Sequence, residues 1–272
     1  MTKKRASRII VTIVGLMIGL IFIMPVFIMI ITSFKPSTQI FDMRLWPSTF
    51  TVESYVRVVT KYSFLHSVRN SLFVSVMTTA LSLLMQTTSA YAFARLRFRG
   101  KRGMFLAVLS SMMVPFPVIL IPLFLTVRTI GLSNSHWGII IPLAANGYGV
   151  FLMRQFFMTL PKDLDESAHI DGASYFLIYW RVLLPLCKPI LMTLGTAYFI
   201  FHWNNYIWPI IILNDSSLHV IQMTIAYFTT MHRTEWDMIF ASTVISSVPI
   251  FLLFSYFQRY IVEGIKTTGL KG

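Results

Sequence analysis

Residues 166–174, ESAHIDGAS, form the most polar stretch of a chain that is otherwise strongly apolar. The carboxylates of Glu166 and Asp171 could meet basic groups on another protein. The small side chains of Ala168, Gly172 and Ala173 would let that protein approach closely. The chemistry on offer is therefore recognition of a partner surface. The alternative is a solvated connector whose acidic residues only cap a helix.

The residues around this stretch predict two short helices folded about Asp171 and Gly172. Pro161 and the acidic residues that follow it suit a helix start, because proline fits the first turn and acids stabilise the positive end of the helix dipole. Gly172 can adopt the left-handed conformation that ends a helix. Ser174 can then cap a second helix, so the pair would protrude from the chain as a polar loop.

A second polar group occurs in FHWNNYIWP, residues 201–209, which begins 13 residues after Lys188. At 1.5 Å per residue this segment would lie roughly 20 Å into a bilayer. Sugars present hydroxyls to amides and apolar faces to aromatic rings, so these side chains suit a sugar-lined pathway: Trp203, Asn204, Asn205 and Trp208. The alternative is tryptophan at the membrane interface together with hydrogen bonds between helices.

Two further segments add candidate pathway residues. The segment MMVPFPVILIP carries Pro115, Pro117 and Pro122, which predict a kinked or locally unwound helix. Such backbone is either an ordinary kink or the lining of a cavity, and the second reading makes Met113 a pathway candidate. Asn146 has the same ambiguity, because the small residues beside it are also typical of close helix packing.

The elements that must position these residues are membrane helices. The chain is 56% hydrophobic and only 12% charged, a composition that excludes an ordinary soluble domain. Six uncharged runs, over residues 9–34, 70–94, 103–127, 129–153, 189–214 and 238–258, are each long enough to cross a hydrocarbon layer of roughly 30 Å, which takes about 20 helical residues. We predict spans over about residues 9–33, 70–94, 104–127, 137–157, 189–212 and 238–258. Helices are expected because lipid offers backbone groups no hydrogen-bond partners.

The basic residues predict the orientation of these spans. Formal net charge is +13, yet most of the 23 Lys and Arg residues fall on one side of a six-span chain. The positive-inside rule then puts residues 1–8, the loop at about 158–188 and the C-terminus in the cytoplasm, with residues 214–237 outside. The first apolar run exceeds a signal-peptide core and lacks a cleavage site, so we expect a retained helix. One basic cluster could also bind phosphate or anionic lipid: Arg95, Arg97, Arg99, Lys101 and Arg102.

Several reaction classes lack support in the sequence. Cys187 is the only cysteine, and the six histidines are scattered without metal-ligand spacing. We find no nucleophile paired with a base and no phosphate-binding loop of the pattern G-x-x-x-x-G-K-[ST]. The chain therefore predicts neither a catalytic residue nor a nucleotide site of its own.

The polar loop also resembles a known motif. Glu166-Ser167-Ala168, Asp171-Gly172-Ala173, Pro185 and Pro189 are similar to the EAA loop in permease subunits of binding-protein-dependent ATP-binding-cassette importers. Further segments extend the resemblance to the carbohydrate-importer branch that includes the smaller maltose-permease subunit: AYAFARLRFRGKR, MMVPFPVILIPLF, WNNYIWPIIIL and FQRYIVEGIKTTGLKG. Ser167 replaces the usual alanine, and IKTTGLKG departs from the usual tail rich in glycine and alanine.

This resemblance implies an all-α, type I importer permease fold with six transmembrane helices and both termini in the cytoplasm of a bacterium. It implies a non-catalytic subunit in the inner membrane, surrounded by lipid and without a nucleic-acid partner. The loop would sit in a cleft of an ATPase subunit through Glu166, Ala168, Asp171, Gly172 and Ala173.

The implied partners are a second permease, two ATP-binding subunits and an extracytoplasmic sugar-binding protein. ATP and magnesium would be used by the ATPase, and this chain would bind no cofactor and no metal. Residues 214–237 would contact the binding protein, and Gly264 to Gly272 are further candidates for ATPase contact. In the maltose system the sugar is held largely by the other permease, so this chain would shape the gate more than the binding site.

Two other functions remain open from the sequence. A permease for glycerol phosphate or polyol would belong to the same family. An ion-coupled secondary carrier would belong to another class, and it would ordinarily need an intramembrane carboxylate or ion site. None of the six uncharged cores supplies such a group.

Overall fold

A computed structural model describes residues 3–229 and 234–269, and no β-strand occurs within those ranges. Parts of three predicted segments lie outside the described residues: 1–2 of the N-terminus, 230–233 of the external loop and 270–272 of the tail. The chain forms two compact units, one of residues 1–65 with 224–248 and one of residues 66–223 with 249–272.

The helices follow one another with short connections. In chain order they are α1 (Lys3–Ser33), α2 (Glu53–Lys61), α3 (Phe64–Arg95), α4 (Lys101–Ser111), α5 (Phe116–Thr129), α6 (Trp137–Ala144), α7 (Gly147–Thr159), α8 (Asp163–Ile170), α9 (Tyr175–Leu177), α10 (Leu184–Leu186), α11 (Lys188–Trp203), α12 (Ile207–Ile212), α13 (Ile221–Tyr227) and α14 (Trp236–Gly269). A π-helical turn at Ile178–Leu183 joins α9 to α10, and 3₁₀ turns occupy Ser37–Gln39 and Ser216–Leu218.

Three helices are long and apolar enough to cross a membrane, over Ile9–Ser33, Phe64–Arg95 and Trp236–Tyr260. Two further pairs of helices are long and apolar enough only when the two members of each pair are taken together, and each pair is sharply bent. Helices α4 and α5 meet at 105°, and Tyr175–Leu186 meets α11 at 80°. The predicted break around Pro115 is therefore confirmed, because the chain leaves α4 after Ser111 and starts α5 at Phe116.

Two predicted continuous spans are wrong in their extent. The helix expected over 189–212 ends at Trp203, because Asn204 closes it and α12 begins only at Ile207. The helix expected over 137–157 is interrupted at Ala145 and Asn146. Neither of its two pieces is long enough to cross a membrane alone, and the two are not among the bent pairs that could do so together. Asparagine side chains compete for backbone hydrogen bonds, which explains both interruptions. The number of six spans stays a prediction.

In the second unit, two apolar clusters form the core. One gathers side chains from the end of α3, from α7 and from the segment around the π-helical turn, including Met153, Phe157 and Ile178, all fully buried. The other joins α5, α6 and α12 through Val127, Ile140 and Trp208. The first cluster supports the polar loop, and the second supports the interrupted helices.

In the first unit, α2 is held to the start of α14 by charge. Arg57 Nη1 donates to Asp237 Oδ2 at 3.1 Å, and Arg57 Nη2 contacts Glu235 Oε1 at 3.4 Å. The hydroxyl of Ser54 donates to the same Asp237 oxygen at 3.0 Å. Asp237 is 5% exposed, so this carboxylate needs both donors to be stable in its buried position.

We expect Asp237→Asn to destabilise the protein by about 1–3 kcal/mol, because hydrogen bonds to a charged group contribute about that much. Glu235→Gln is the matched control and should cost less, since its contacts with Arg57 and Tyr62 are both longer, at 3.4 Å. Thermal unfolding midpoints of the detergent-solubilised variants would compare them. An equal loss for both substitutions would contradict the assigned role of Asp237.

Candidate functional site

The polar loop has the helix–turn–helix form that its sequence predicts. Helix α8 covers Asp163–Ile170 and starts with acidic residues in its first turn. Gly172 has a φ of +80°, the left-handed conformation in which glycine avoids the strain that other residues meet. The Ser174 hydroxyl accepts a hydrogen bond from the Leu177 amide at 3.3 Å and caps the next helical segment.

The base of this loop is fixed to the end of α3 by Arg95. Arg95 Nη2 donates to the Leu160 carbonyl at 2.9 Å. Arg95 Nε lies 3.2 Å from Asp165 Oδ2, at an angle too poor for a hydrogen bond, so this contact is an ion pair. Burial raises the pKa of the Asp165 carboxyl, and the neighbouring guanidinium opposes that shift. The first turn of α8 is thereby attached to α3.

The five residues predicted for partner contact fall on two faces of the loop. Ala168 and Ala173 are partly buried and pack against the core, so their small size serves the loop's own packing. Glu166, Asp171 and Gly172 are exposed. A Cβ added to Gly172 would meet nothing within 4 Å, so the space in front of this turn is open.

Sequence reasoning missed the apolar side chains at the same turn. Ile170 is 86% exposed at the end of α8, and Phe176, six residues later in α9, is 71% exposed. Large apolar side chains exposed among polar neighbours mark surfaces that another protein covers. The sequence signal for this surface is the presence of large apolar residues within an otherwise hydrophilic loop.

A second candidate site lies where three helices are interrupted, at residues 112–115, 145–146 and 204–206. The first two breaks adjoin, because a Cβ on Gly147 would lie 2.8 Å from the Val108 carbonyl and 2.9 Å from Met112 Cγ. The third is linked to the first through Trp208, whose ring meets that of Phe116 edge-on with centroids 6.0 Å apart. The breaks are therefore grouped in one region of the second unit.

Asparagine side chains satisfy the backbone at these breaks. Asn146 Oδ1 accepts from the Tyr148 amide at 2.7 Å and caps α7. Asn204 Nδ2 donates to the Ile200 carbonyl at 2.9 Å, and Asn204 Oδ1 accepts from Gln222 Nε2 at 3.3 Å. Asn205 Oδ1 accepts from the Trp208 amide at 3.4 Å.

The candidate pathway residues differ sharply in exposure. Trp203 is 1% exposed and stacks on Phe199 at 5.6 Å, and Trp208 is fully buried with Nε1 donating to the Gly138 carbonyl at 3.1 Å. Both tryptophans therefore pack between helices. Met113 is 83% exposed, and Asn146 and Asn204 are exposed as well.

A buried polar pair that sequence reasoning missed supports the break at Asn146. The Tyr198 hydroxyl donates to Gln86 Oε1 at 2.7 Å, and Gln86 Nε2 donates to the Ala144 carbonyl at 3.4 Å. Gly149 leaves no room for a side chain, because a Cβ there would overlap Gln86 and Tyr198. The close packing that we considered for the small residues beside Asn146 is thus present. The sequence signal for this pair is Gln86 itself, because an amide in the middle of an apolar run needs a buried hydrogen-bond partner.

Within residues 3–229 and 234–269, no three His, Cys, Asp or Glu side chains are grouped closely enough to hold a metal ion. Cys187 is buried, and its Sγ contacts the Leu183 carbonyl at 3.2 Å.

Comparisons with characterised proteins give relatives along nearly the whole chain. The arabinooligosaccharides transport system permease protein AraQ of Halalkalibacterium halodurans is 32% identical over 99% of this chain and 100% of its own length. The diacetylchitobiose uptake system permease protein DasC of Streptomyces coelicolor is 31% identical over 96% of each chain.

Solved structures give the same fold. A chain of a bacterial ABC transporter involved in the import of the acidic polysaccharide alginate is similar with a TM-score of 0.83 and 25% identity, over 96% of this chain and 98% of that one. A chain of the alginate transporter in complex with alginate pentasaccharide-bound periplasmic protein has a TM-score of 0.68 and 14% identity, over 93% of each chain.

The family model for the inner membrane component of binding-protein-dependent transport systems matches residues 82–267, which include both candidate sites. Together with relatives above 30% identity over the full chain, this match places the polar loop and the helix breaks in a known architecture. The chain belongs to the family of binding-protein-dependent transport system inner membrane components.

Proposed function

We propose that this chain is the permease subunit of an ATP-driven importer of oligosaccharides in the cytoplasmic membrane of a bacterium. Six spans would place both termini in the cytoplasm. A second permease would complete the pathway, two ATP-binding subunits would use ATP and magnesium, and an extracytoplasmic binding protein would deliver the sugar. The permeases named for arabinooligosaccharides and diacetylchitobiose support this substrate class.

The observation that carries the proposal is the exposed turn of the polar loop. Glu166 and Asp171 present carboxylates, Ile170 presents an apolar side chain, and Gly172 leaves open space between them. An interface with an apolar centre and charged residues around it fits this surface. The loop would enter a cleft of the ATP-binding subunit through these residues.

Movement of the ATP-binding subunits would then reach the membrane helices through the base of the loop. Ala168 and Ala173 pack on the core, and Arg95 pairs with Asp165 at 3.2 Å, so a displaced loop would pull on α3. The binding protein and ATP would favour an outward-open state, and hydrolysis would restore the other state.

The helix breaks are the proposed sugar pathway. Asn146 and Asn204 are exposed amides, and Met113 adds an exposed apolar surface. Amides can bond to hydroxyls, whereas Trp203 and Trp208 would hold the backbone that presents them. Asn205 is half-buried, so it would both bond to a sugar hydroxyl and hold the backbone through the Trp208 amide.

The residue types at the helix breaks favour a neutral sugar over the two alternatives, an anionic glycerol phosphate and a coupling ion. The break residues 112–115, 145–146 and 204–206 include no charged side chain, and an anionic glycerol phosphate would call for a cation. An ion-coupled carrier would need an ionisable group at the same depth. A neutral sugar needs only the amides and apolar groups that these breaks offer.

Gly172→Arg is expected to abolish ATP-driven transport and retention of the ATP-binding subunit, because the arginine would fill the open space at the turn. A positive φ also strains any side chain other than glycine by about 1–2 kcal/mol. Gly131→Arg is the matched control, since Gly131 has a φ of +75° and equally open surroundings in another loop. Co-purification and sugar uptake would be measured for both, and normal uptake with Gly172→Arg would refute docking at this turn.

Asn204→Leu is expected to raise the sugar concentration needed for half-maximal transport about five-fold, the effect of losing one hydrogen bond worth about 1 kcal/mol. Gln258→Leu, at an exposed amide near the end of α14 whose Nε2 donates to the Ser255 carbonyl of the same helix, should leave transport unchanged. The assay is sugar uptake into proteoliposomes that contain the complete complex. Unchanged uptake with Asn204→Leu would remove Asn204 from the pathway.

The orientation can be tested with single cysteines in a Cys187→Ala background. Ser217→Cys should react with a membrane-impermeant maleimide in intact cells, whereas Arg99→Cys should react only after the membrane is opened. Both residues are exposed, and neither lies in the polar loop that would be covered by the ATP-binding subunit. The reverse pattern would invert the proposed topology.

A further inference from the structure

We propose that the second unit holds an anionic phospholipid of the cytoplasmic leaflet, with an acyl chain in an apolar cavity and the phosphate against Lys188 and Arg259. The inference rests on the topology proposed above. It concerns a site separate from the exposed turn of the loop and from the helix breaks.

The cavity has a volume of about 540 Å³ and lies between α3, the segment Tyr175–Leu186, α11 and α14. Its lining is almost entirely apolar, with Leu83 on α3, Phe199 on α11 and Phe257 on α14 as large members. This volume is within the range of roughly 300–1,000 Å³ typical of small-molecule sites. An apolar cavity within membrane helices suits a hydrocarbon chain.

The position of the cavity along α11 and α14 fits one leaflet. Its lining on α11 extends from Leu191 to Phe199 and begins three residues after Lys188, at the proposed cytoplasmic end of this helix. At 1.5 Å per residue this stretch is about 12 Å long, less than half of a hydrocarbon core of about 30 Å. On α14 the lining residues Leu253 and Phe257 lie in the last turns of the predicted span 238–258, so the cavity would lie mainly in the cytoplasmic half of the membrane and reach its middle along α3.

Two cations meet near the cytoplasmic end of this cavity. Lys188 Nζ lies 5.5 Å from the centre of the Tyr260 ring, and Arg259 Cζ lies 4.6 Å from the same centre. Tyr260 follows the lining residue Phe257 by three positions on α14, and Lys188 precedes the lining residue Leu191 by three positions on α11, so each lies about one helical turn away.

These cations are available to an anion. Both side chains are exposed, and neither belongs to an ion pair among the described residues, where the paired cations are Arg57 and Arg95. Two like charges on one ring repel each other, and a phosphate between them would remove that repulsion. Trp180 lines the cavity with half of its side chain exposed, an arrangement typical of tryptophan at the headgroup level.

Charge complementarity selects this occupant over a second protein helix. A transmembrane helix would fill the apolar part of the cavity and leave Lys188 and Arg259 without a partner. A phospholipid supplies an apolar chain and a phosphate on one molecule, in the order that the cavity and the cations require. Basic sites between helices on the cytoplasmic side are known to hold anionic headgroups in this way.

The test uses the purified complete complex in nanodiscs of phosphatidylcholine with phosphatidylglycerol, and native mass spectrometry counts the lipids retained during stepwise delipidation. Lys188→Gln/Arg259→Gln should weaken retention of phosphatidylglycerol roughly thirty-fold, since each surface cation contributes roughly five-fold to attraction for an anionic lipid. Ala80→Trp should also reduce retention with both cations in place, because Ala80 lines the cavity and a large ring would fill it.

Lys162→Gln/Arg181→Gln is the matched control, which removes two exposed cations on the same side of the membrane that lie outside the cavity lining and outside the basic cluster of residues 95–102. Retention should match that of the unmodified complex. The proposal is overturned by an equal loss in this control, by full retention in either site variant, or by equal retention of phosphatidylcholine. A photoreactive residue at Phe199 that crosslinks to protein instead of lipid would overturn it as well.

Co-purification of the ATP-binding subunit is recorded for every variant, so that failure of the proposed importer function can be distinguished from failure of the proposed lipid site. Absence of that subunit from the unmodified complex would refute the proposed function and leave the lipid count to decide this site. Loss of lipid with the subunit still bound supports the lipid site independently of coupling.

Discussion

Backbone amides and carbonyls inside a hydrocarbon layer must be satisfied within the protein, because lipid offers no hydrogen bonds in exchange. Continuous helices meet this requirement through their own ladders. Two of the three helix breaks meet it in part through side chains, with Asn146 capping α7 and Asn204 closing α11. At the first break, the Met112 and Met113 amides bond to the carbonyls of Leu109 and Ser110. The same side chains that make the breaks tolerable also expose polar atoms at depth. The asparagines that satisfy the backbone at the breaks can therefore also supply the polar groups of a transport pathway.

Helix α3 contacts both candidate sites of the second unit. Near its end, Arg95 is attached to the polar loop, and Thr87 Oγ1 lies 2.7 Å from the Tyr179 hydroxyl beyond that loop. One residue earlier, Gln86 contacts both Tyr198 and the carbonyl of Ala144 next to a helix break. The distance from Gln86 to Arg95 is nine residues, or about 14 Å of helix. A rigid helix of that length connects loop displacement to the breaks without a long chain of intermediates.

Local sequence rules predicted the features that depend on neighbouring residues. Gly172 and Ser174 suffice to specify a turn and a cap, and Pro115 marks its break, because each acts on the backbone within a few positions. Hydropathy alone did not detect the end of α11 at Trp203, since Asn204 and Asn205 are two amides in a run that is otherwise apolar. The buried state of Trp208 depends on Gly138, 70 residues away, and the Gln86–Tyr198 pair spans 112 residues. Contacts of that range follow from the packed fold and have no local signature.

The polar face of α3 has a consequence for the order in which this chain enters the membrane. Its mean hydropathy is 1.4, against 2.9 for the span in α1, because it buries a row of small polar residues and one amide: Ser71, Ser75, Thr78, Ser82, Gln86 and Thr87. The partners of Gln86 and Thr87 on Tyr198 and Tyr179 are synthesised about a hundred residues later. The Thr78 and Thr87 hydroxyls can bond at once to the Val74 and Leu83 carbonyls of their own helix, whereas the Gln86 amide would wait for its partners during translation. Retention of α3 near the insertion machinery until α11 emerges would spare that amide exposure to acyl chains.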